Sequence, residues 1–488
     1  MKTKKLFDIL PESLKSQLSD SENKEIDHLT CDSREVTDKS VFFALSGTVL
    51  DGREFISNAI ENGVVLVVAE KGKGEINSPK VVEVEDVRSV MGEVVKNFYQ
   101  DPSSKMNLIG VTGTNGKTTI TTILYQLFTG MGFNCGLIST VKYMCAEFEI
   151  PAKHTTPDVI TMNKVLVRMH EAGVEYVFAE VSSHAIAQKR IEGLDFGVRV
   201  FSNLTHDHLD YHGSFAEYRD TKKTFFDAAS KGNQCIYNVD DKNGGVMVQN
   251  SKGIKLGYGL FEMTDVKGKI VSNSMSGLLL SINQKEFYCR LIGKFNAYNL
   301  LAAYAVAKVY EEDEGKILQV LSSVTGAVGR FQLIKGETKE IFAIVDYAHT
   351  PDALQNVLET VAQVKNKNQR VITVFGCGGD RDSTKRPKMG FIAARLSDIV
   401  VLTSDNPRTE DPFKIIEEIV EGIDDLENVI QIENRKQAIK TAFKIAQEND
   451  IIIVAGKGHE TYQQINGERL PFDDKEELEK LMLKKYKA

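Results

Sequence analysis

The chain has 488 residues, of which 42% are hydrophobic and 26% are charged, and its net charge is −8 at pH 7. This length predicts about three domains, and the composition is that of a soluble globular protein. The acidic balance argues against a broad basic surface for DNA or RNA. Six cysteines without a close pair, an N-terminal segment interrupted by Asp8 and the lack of a long apolar run predict a cytoplasmic protein without disulfides, signal peptide or membrane span.

Short apolar runs and one polar segment organise the first third of the chain. SVFFAL at 40–45 and VVLVVAE at 64–70 are typical of buried strands. FYQDPSSKM at 98–106 contains Pro and Ser, which is typical of a linker. The predicted domains are residues 1–101, 102–332 and 333–488.

The stretch GVTGTNGKTT at 110–119 resembles a phosphate-binding loop. It follows the strand-like run MNLIGVT and precedes TTITTILYQLFTGMG, which has apolar residues at helical spacing. Gly116, Lys117 and Thr118 fill the end of the pattern G-x-x-x-x-G-K-[ST], while Val111 replaces its first glycine. The order of strand, glycine loop, lysine and helix predicts a nucleotide site, and a plain glycine-rich turn is the alternative.

The residue types of this loop have physical reasons. Glycine at Gly113 and Gly116 lets backbone N–H groups approach phosphate without an intruding Cβ. Lys117 supplies positive charge to the β- and γ-phosphates, and the Thr118 hydroxyl can bind Mg²⁺. Glu180 ends a later strand-like run, and ligands bind outside the carboxyl ends of strands in open α/β sheets, so its carboxylate is a second candidate for Mg²⁺.

The motif NLTHDHLDYHG contains three histidines, His206, His208 and His212, within a span of seven residues. Histidines at this spacing fit a transition-metal site, and singly they fit loop or capping positions. No cysteine accompanies them, and the nearby carboxylates favour magnesium. We therefore interpret the three histidines as residues that surround the direct ligands of a magnesium site.

The C-terminal third alternates between apolar runs of strand length and segments of helical length. The strand candidates are EIFAIVDYA, RVITVFGCGG, DIVVLTSD, NVIQIE and DIIIVAGKG. This alternation predicts a parallel sheet with helices on both faces. GCGGDRD lacks the third glycine of a dinucleotide fingerprint, so we predict no nicotinamide site there.

A series of motifs in chain order resembles the Mur ligases, most closely their MurE type. The motifs are GTNGKTT, TTPD, EVSSHA, QKR, NLTHDHLDYHG, GKFNAYNLLAA, GRF, DYAHTPDAL, GCGGDRDSTKRPKMG, SDNPRTEDP and AGKGHE. GTNGKT alone would also fit a folylpolyglutamate synthetase, whereas GCGGDRD, DNPR and GKGHE are much more specific. In this family a hydrophobic residue replaces the first glycine of the phosphate loop.

The resemblance implies an α/β fold of three domains: a small N-terminal α/β domain that holds UDP, a central ATPase-like domain with a parallel sheet, and a Rossmann-like C-terminal domain. It also implies an ATP-dependent ligase of peptidoglycan synthesis. Such a ligase activates a substrate carboxylate with the γ-phosphate of ATP, and an amine attacks the acyl phosphate to give an amide, ADP and phosphate. ATP and Mg²⁺ are the implied cofactors. We expect a monomer that takes small-molecule substrates, without nucleic acid or membrane insertion.

The family motifs also assign roles to individual residues. The residues implied for the nucleotide are Gly113, Thr114, Asn115, Gly116, Lys117, Thr118, Thr119, Asn299, Arg330 and Asp346. Two magnesium ions are implied, one held by Thr118 and Glu180 and the other by Glu180, His208 and Lys222. The implied catalytic set is Lys117, Glu180, His208 and Lys222. Those implied for a UDP-muramoyl dipeptide are Ser33, Thr155, Thr156, Ser182, Gln188 and Arg190. Those implied for the added amino acid are Arg381, Asp405, Asn406, Pro407, Arg408, Gly456 and Glu460. Ser33 has an alternative as a turn residue.

Lys222 lies four residues after Tyr218 and shortly before Phe225 and Phe226, so a helix would place it on its apolar face. Burial favours the neutral amine, which can take up carbon dioxide to become a carbamate and an oxygen ligand. The resemblance places a carbamylated lysine here, whereas the sequence alone also fits a lysine that reaches out from a surface helix. Lys223 is expected to be an ordinary lysine.

Arg408 in SDNPRTEDP bears on the amino acid that is added. The family's diaminopimelate-adding members carry Asp-Asn-Pro-Arg here, and the arginine fork can bind a second carboxylate bidentately. We predict meso-2,6-diaminopimelate, with Glu460 facing the distal ammonium. L-lysine and meso-lanthionine are the alternatives, and Arg408 could instead pair with Glu410 or Asp411. Alternatives for the whole protein are a folylpolyglutamate-type or other muramoyl-peptide ligase, and a nucleotide-dependent switch without catalysis.

Overall fold

A computed structural model describes residues 3–47, 51–72, 78–311, 313–337 and 340–483. The chain divides into two compact units, Met1–Lys267 with Tyr298–Val320, and Gly268–Ala297 with Leu321–Ala488. Within the described residues, no helix is both long enough and apolar enough to cross a membrane.

The N-terminal part of the first unit is a small α/β layer. Its strands are β1 (Lys4–Lys5), β2 (Glu25–Ile26), β3 (His28–Thr30), β4 (Ser40–Ala44), β5 (Leu66–Glu70) and β6 (Val81–Val84). Its helices are α1 (Leu6–Ile9), α2 (Glu12–Lys15), α3 (Ile56–Glu61) and α4 (Val87–Tyr99). Strands β3 to β6 form a parallel sheet in chain order, and β1 pairs with β2. The predicted strands in SVFFAL and VVLVVAE are confirmed as β4 and β5.

The central part of the first unit is a larger sheet with helices. Its strands are β7 (Asn107–Thr112), β8 (Cys135–Ile138), β9 (Lys142–Cys145), β10 (Phe148–Pro151), β11 (Tyr176–Glu180), β12 (Val198–Phe201), β13 (Gln234–Asn238) and β14 (Ile254–Gly259). Its helices are α5 (Lys117–Gly130), α6 (Val159–Glu171), α7 (Ser183–Ala187), α8 (Leu209–His212), α9 (Phe215–Asp227) and α10 (Gly244–Val248). The strand order is β10-β9-β8-β11-β7-β12-β13-β14, and all neighbours are parallel except at β9 and β10.

The predicted strand and helix around the glycine loop are confirmed as β7 and α5. Because β11 lies beside β7 and runs parallel to it, Glu180 at the end of β11 pairs in register with Val111 of β7. The topology therefore brings the Glu180 carboxylate next to the phosphate loop, as the position of both at strand ends had predicted.

An antiparallel hairpin sheet and two helices follow. They are β15 (Val266–Ser274), β16 (Gly277–Ile282), β17 (Lys285–Cys289), α11 (Lys294–Tyr310) and α12 (Glu314–Leu321). The later part of β15 pairs with β16, and β16 pairs with β17. None of these three strands stood out in the sequence, because their polar and apolar residues mix without a long buried run.

The C-terminal part of the second unit is a sheet between two layers of helices. Its strands are β18 (Gln332–Lys335), β19 (Phe342–Asp346), β20 (Val371–Phe375), β21 (Ile399–Leu402), β22 (Val429–Gln431), β23 (Ile451–Ala455), β24 (Tyr462–Ile465) and β25 (Glu468–Pro471). Its helices are α13 (Pro351–Val364), α14 (Lys385–Leu396), α15 (Pro412–Val420), α16 (Arg435–Ile445) and α17 (Asp474–Met482). The order of the large sheet is β18-β19-β23-β20-β21-β22.

Alternate residues of the central strand β23 enter two separate cores. Ile451 and Ile453 pack with α13, α14 and α15, whereas Ile452 and Val454 pack with α16 and α17. The predicted parallel sheet with helices on both faces is therefore confirmed. The edge strand β18 was not predicted. Its antiparallel direction could not be predicted either, because a short apolar run does not indicate the direction of a strand. The domain limits given above stay a prediction.

Candidate active site

The glycines of the phosphate loop lie where a side chain would not fit. Gly113 and Gly116 have φ of +149° and +88°. A Cβ on Gly113 would overlap Ser202 Oγ, and one on Gly116 would lie 2.7 Å from Asn299 Oδ1. The loop is therefore built by close contact with the segment after β12 and with α11, which brings Asn299, one of the residues predicted for the nucleotide, against it.

Backbone and side chain of Asn203 hold the loop open at its tip. The N–H groups of Thr114 and Asn115 donate to the carbonyl and the side-chain oxygen of Asn203 at 2.8 and 3.0 Å. Lys117 begins α5 and its Nζ donates to the carbonyls of Gly113 and Thr114, both at 2.8 Å. The ammonium group thus lies across the loop that would cradle phosphates, and Thr119 is buried in the same first turn.

Glu180 is buried, and its carboxylate accepts hydrogen bonds from the first turn of α5 and from the segment after β8. Thr118 Oγ1 donates to Oε2 at 3.0 Å, Thr140 Oγ1 donates to the same oxygen at 3.1 Å, and Thr140 N–H donates to Oε1 at 2.7 Å. A threonine hydroxyl beside a carboxylate is the hard oxygen set that Mg²⁺ prefers, so the residues fit this ion. Sequence reasoning missed Thr140, although its place just after the buried strand β8 was a usable signal.

Five residues predicted for the dipeptide lie together next to Glu180: Thr155, Thr156, Ser182, Gln188 and Arg190. Thr156 Oγ1 donates to the Glu180 carbonyl at 2.8 Å and accepts from Ser182 N–H at 3.1 Å. Arg190 donates to the Thr156 carbonyl at 3.0 Å and to Gln188 Oε1. The Thr140 hydroxyl donates to Thr155 Oγ1 at 3.2 Å. The network is continuous from the phosphate loop to Arg190.

Ser33 lies in the N-terminal part and does not join this network. It is buried in a 3₁₀ turn, Ser33–Glu35, that follows β3, and its carbonyl accepts from Asn62 Nδ2 at 3.2 Å. The backbone thus adopts the turn that was weighed as its alternative. Its role toward a nucleotide stays a prediction.

Lys222 lies on the inner face of α9 and is 1% exposed. Its Nζ lies 3.1 Å from the Gly113 carbonyl and 3.4 Å from Thr112 Oγ1, and 4.8 Å from the centre of the Tyr218 ring. Burial, reinforced by the positive charge of Lys117, lowers the pKa of Lys222 well below the usual value. The predicted placement on the apolar face is confirmed, while Lys223 pairs with Asp227 at 2.7 Å.

The three clustered histidines face different neighbours. His206 stacks on Phe215 with ring centres 4.9 Å apart, His208 lies 3.5 Å from Asp207, and His212 is buried beside Tyr218. Across the described part of the chain, no group of three or more His, Cys, Asp and Glu side chains is arranged to hold a metal ion. The magnesium site that the family motifs imply uses a threonine hydroxyl and a modified lysine, which are not among these four residue types. The role of His208 as a magnesium ligand stays a prediction.

The second unit brings together another set of predicted residues. Asn406 Nδ2 donates to Glu460 Oε2 at 2.8 Å, and the buried Lys457 donates to Asn406 Oδ1 at 3.0 Å and to Glu460 Oε2 at 3.2 Å. Lys457 was not predicted, although a lysine two residues after the buried strand β23 is unusual. Its charge fixes the carboxylate and the amide that the family motifs assign to the amino acid.

Arg408 and Arg381 lie on the same side of Gly378. A Cβ on Gly378 would lie 2.9 Å from Arg408 Nη1 and 3.9 Å from Arg381 Cγ. Arg408 donates to the Gly379 carbonyl, whereas Glu410 pairs with Arg386 at 2.9 Å. Among the described ion pairs none joins Arg408 to Glu410 or Asp411, and the Asp411 carboxylate instead caps α15, so the alternative pairing is wrong.

Asp405 points one buried oxygen at Gly456. Asp405 Oδ2 has no hydrogen-bond donor among the described residues, and a Cβ on Gly456 would lie 2.5 Å from it. The fully buried Arg435 holds the surroundings, donating to Asp474 at 2.7 Å and to the Ala455 carbonyl at 2.9 Å. Pro407 is buried next to them. Sequence reasoning missed Arg435, whose partners are distant along the chain.

Arg330 and Asp346, predicted for the nucleotide, lie together in the second unit. Asp346 accepts from the N–H groups of Phe331 and Ala348 at 2.6 and 2.8 Å. Burial raises the pKa of Asp346, and the positive charge of Arg330 opposes that rise. The Arg330 guanidinium lies 4.6 Å from the centre of the Tyr347 ring, and no described residue accepts from its Nε.

His459 is expected to make the protein sensitive to acid. Burial, with the positive charge of Arg330, lowers its pKa from 6.5 to about 4. Between these two values the unfolded chain binds the proton and the folded one does not, so folding stability falls as the pH drops. We expect His459→Gln to flatten the dependence of the urea-unfolding midpoint on pH in this window. The exposed His170, changed to Gln, should leave it as in the wild type, and equal slopes for wild type and His459→Gln would contradict the assignment.

Three family models match the chain: "Mur ligase family, catalytic domain" over residues 25–99, "Mur ligase middle domain" over 111–307, and "Mur ligase, glutamate ligase domain" over 329–458. Together they span the N-terminal sheet, the phosphate loop with its carboxylate, and the Rossmann-like sheet.

Two curated proteins and one solved structure are similar over almost the whole chain. A Cytophaga hutchinsonii protein named UDP-N-acetylmuramoyl-L-alanyl-D-glutamate--2,6-diaminopimelate ligase is 48% identical over 92% of this chain and 93% of its own. A Parabacteroides distasonis protein of the same name is 47% identical over 95% and 96%. A solved structure described by that name is 33% identical with a TM-score of 0.72, covering 98% of this chain and 99% of that one. This protein therefore belongs to the Mur ligase family, a family of ATP-dependent ligases.

Proposed function

We propose that this protein joins meso-2,6-diaminopimelate to UDP-N-acetylmuramoyl-L-alanyl-D-glutamate, with cleavage of ATP to ADP and phosphate. The observation that carries the proposal is the continuous network from Thr118 through Glu180 to Arg190. It would hold a substrate carboxylate next to the terminal phosphate of a nucleotide in the loop. The names of the similar proteins support the same substrates.

The first step would transfer the terminal phosphoryl group to the dipeptide. A carboxylate oxygen attacks the γ-phosphorus, the bond from that phosphorus to the bridging oxygen breaks, and ADP leaves. Carboxylate and triphosphate repel each other, so positive charge must be fixed between them. Lys117 and the loop N–H groups supply part of it, and Arg190 would orient the dipeptide.

We propose that Thr118, Glu180, His208 and a carbamate on Lys222 hold magnesium. When bound, Mg²⁺ adds positive charge at the phosphates and screens their repulsion of the carboxylate. The Lys222 amine beside the Gly113 carbonyl suits carbamate formation, because burial lowers its pKa and so favours the neutral amine, the form that attacks carbon dioxide. Asn299, Arg330 and Asp346 would hold the rest of the nucleotide.

The second step would form the amide. The amine of the amino acid attacks the acyl phosphate carbon, the bond to the phosphate oxygen breaks, and inorganic phosphate leaves while the amine loses a proton. We propose that Arg408 and Arg381 bind the distal carboxylate and that Asn406 and Glu460 face the distal ammonium. Lys457 keeps Glu460 in place through its 3.2 Å contact.

The decisive experiment is product formation from ATP, the UDP-muramoyl dipeptide and a panel of amino acids, followed by mass spectrometry. We expect the tripeptide product with meso-2,6-diaminopimelate, and ATP cleavage that is nearly silent without the dipeptide. ATP cleavage at the same rate without the dipeptide, and no product, would support a nucleotide switch instead.

We also propose that the enzyme works as a cytoplasmic monomer. Sedimentation of the purified chain tests whether it is a monomer.

Thr140→Val tests the part of the site that the motifs did not predict. The change removes one hydrogen bond to the Glu180 carboxylate, while Thr118 and a backbone N–H still hold it. A hydrogen bond to a charged group contributes about 1.5 kcal/mol or more, so we expect roughly tenfold lower kcat/KM and a higher magnesium requirement. Thr161→Val, in the first turn of α6 where the hydroxyl donates to Asp158, is the matched control. An unchanged magnesium requirement in Thr140→Val would refute this role.

A further inference from the structure

A pocket of about 520 Å³ lies in the first unit, beside the site described above. The segment that follows α7 forms one wall with Ile191 and Leu194, and α9 forms the other with Thr224 and Phe225. The side chain of Arg199, from β12, lies between them. The volume suits a small organic molecule, and the walls combine apolar side chains with the charged residues Arg199, Lys189 and Glu192.

Arg199 is only 5% exposed, yet its guanidinium is incompletely satisfied. Nη1 donates to the Phe196 carbonyl at 2.6 Å and to Asn233 Oδ1 at 3.1 Å, whereas Nε has no acceptor among the described residues. The guanidinium carbon lies 5.9 and 5.4 Å from the ring centres of Phe196 and Phe225. These contacts orient a planar cation against the pocket without neutralising it.

No carboxylate among the described residues forms an ion pair with Arg199. Lys189 at the rim of the pocket is paired with Asp86, and the carboxylate-bearing Glu192 is exposed. Burial lowers the pKa of Arg199, and the nearby negative charge of Asp195 opposes that fall without forming an ion pair. A buried cation without an anion is costly, so an incoming anion would recover part of that cost.

We propose that this pocket binds a small carboxylic acid with an apolar body, its carboxylate on Arg199 and its body against Ile191, Leu194 and Phe225. One guanidinium with free donors suits a single planar carboxylate, and with no second uncompensated cation in its lining the pocket is poorly suited to a phosphate dianion. The site is separate from the proposed catalytic groups. Its ligand would nevertheless touch α9, the helix that carries Lys222.

The test uses the full chain and 4-phenylbutyrate as the probe. Titration calorimetry should show saturable binding with one probe per chain, and the neutral 4-phenylbutanamide should bind at least tenfold more weakly. A hydrogen-bonded charge pair corresponds to roughly 10- to 150-fold in affinity. Equal binding of acid and amide, or no saturable binding of the acid, would overturn the proposal.

Three variants test whether 4-phenylbutyrate binds in this pocket. Arg199→Met should lose at least tenfold in affinity for 4-phenylbutyrate, while Arg219→Met, at an α9 arginine that pairs with Asp220 and does not line the pocket, should bind like the wild type. Ala228→Trp, at the edge of the pocket, should block the probe without removing the cation, which keeps the test valid if Arg199→Met folds poorly. Undiminished binding in Ala228→Trp and in a folded Arg199→Met would show that the probe binds elsewhere. Inorganic phosphate should not compete, and competition by it would favour a general anion site over the proposed one.

Discussion

Lys222→Ala is expected to fold like the wild type and to lose ligation by roughly 100-fold or more. The lysine is buried, its amine lies 3.1 Å from the Gly113 carbonyl, and burial lowers its pKa, which favours the neutral amine that carbamate formation requires. Alanine fits the same apolar face of α9 but offers no ligand oxygen. The loss should appear in kcat, because the nucleotide and dipeptide contacts are unchanged.

Two further variants test whether an anionic group at position 222 is what ligation requires. Lys223→Ala, at the neighbouring lysine paired with Asp227, should keep near-normal activity. Lys222→Glu should regain part of the activity, because a carboxylate replaces the anionic oxygens of a carbamate. NMR of the wild type with isotope-labelled bicarbonate should show a carbamate signal that Lys222→Ala lacks. Near-normal ligation by Lys222→Ala would rule out the proposed role.

Arg408→Ala is expected to abolish the preference for meso-2,6-diaminopimelate over L-lysine. The two amino acids differ by one carboxylate, and Arg408 lies with Arg381 beside Gly378, free of the acidic neighbours that could have engaged it. A charge-assisted pair contributes about 2–3 kcal/mol, which corresponds to roughly 30- to 150-fold in discrimination. With lysine bound, the same guanidinium would lack its anion, which also disfavours the wrong substrate.

The measurement is kcat/KM for meso-2,6-diaminopimelate, meso-lanthionine and L-lysine in wild type and variant. Lanthionine has the same two ends as diaminopimelate, so both should lose a similar factor in Arg408→Ala. Arg395→Ala, on the outer side of α14 near Phe391, serves as the control and should keep the wild-type order. A wild type that prefers lysine, or a variant with the preference intact, would show that the pocket works differently.

Local patterns predicted the parts of this protein that depend on neighbours in sequence. The loop from Gly113 to Thr118 is readable because strand, glycines, lysine and helix follow each other directly. The burial of Lys222 is readable because Tyr218, Phe225 and Phe226 lie on the same helix face. The parallel C-terminal sheet is readable because apolar runs alternate with helical segments.

Contacts between distant segments were not readable. Thr140 meets Glu180 only because β8 and β11 are neighbours, and Arg435 meets Asp474 only because α16 and α17 pack on one face of the sheet. The direction of β18 follows from its pairing with β19, and its own residues do not encode it. Strand order is decided by the packing of the whole sheet, so no local spacing reports it.

The sequence by itself therefore determined the phosphate loop, the family motifs and the buried face of α9, because each depends on backbone geometry or periodicity within a short segment. Only the tertiary structure decided which polar groups are satisfied. Glu180 is held by Thr140, Glu460 is held by Asn406, and Arg199 is held by Asn233, each through residues far apart in the chain. The physical reason is that the free energy of a buried charge depends on partners that folding brings within a few ångströms, and these partners leave no periodic trace in the sequence.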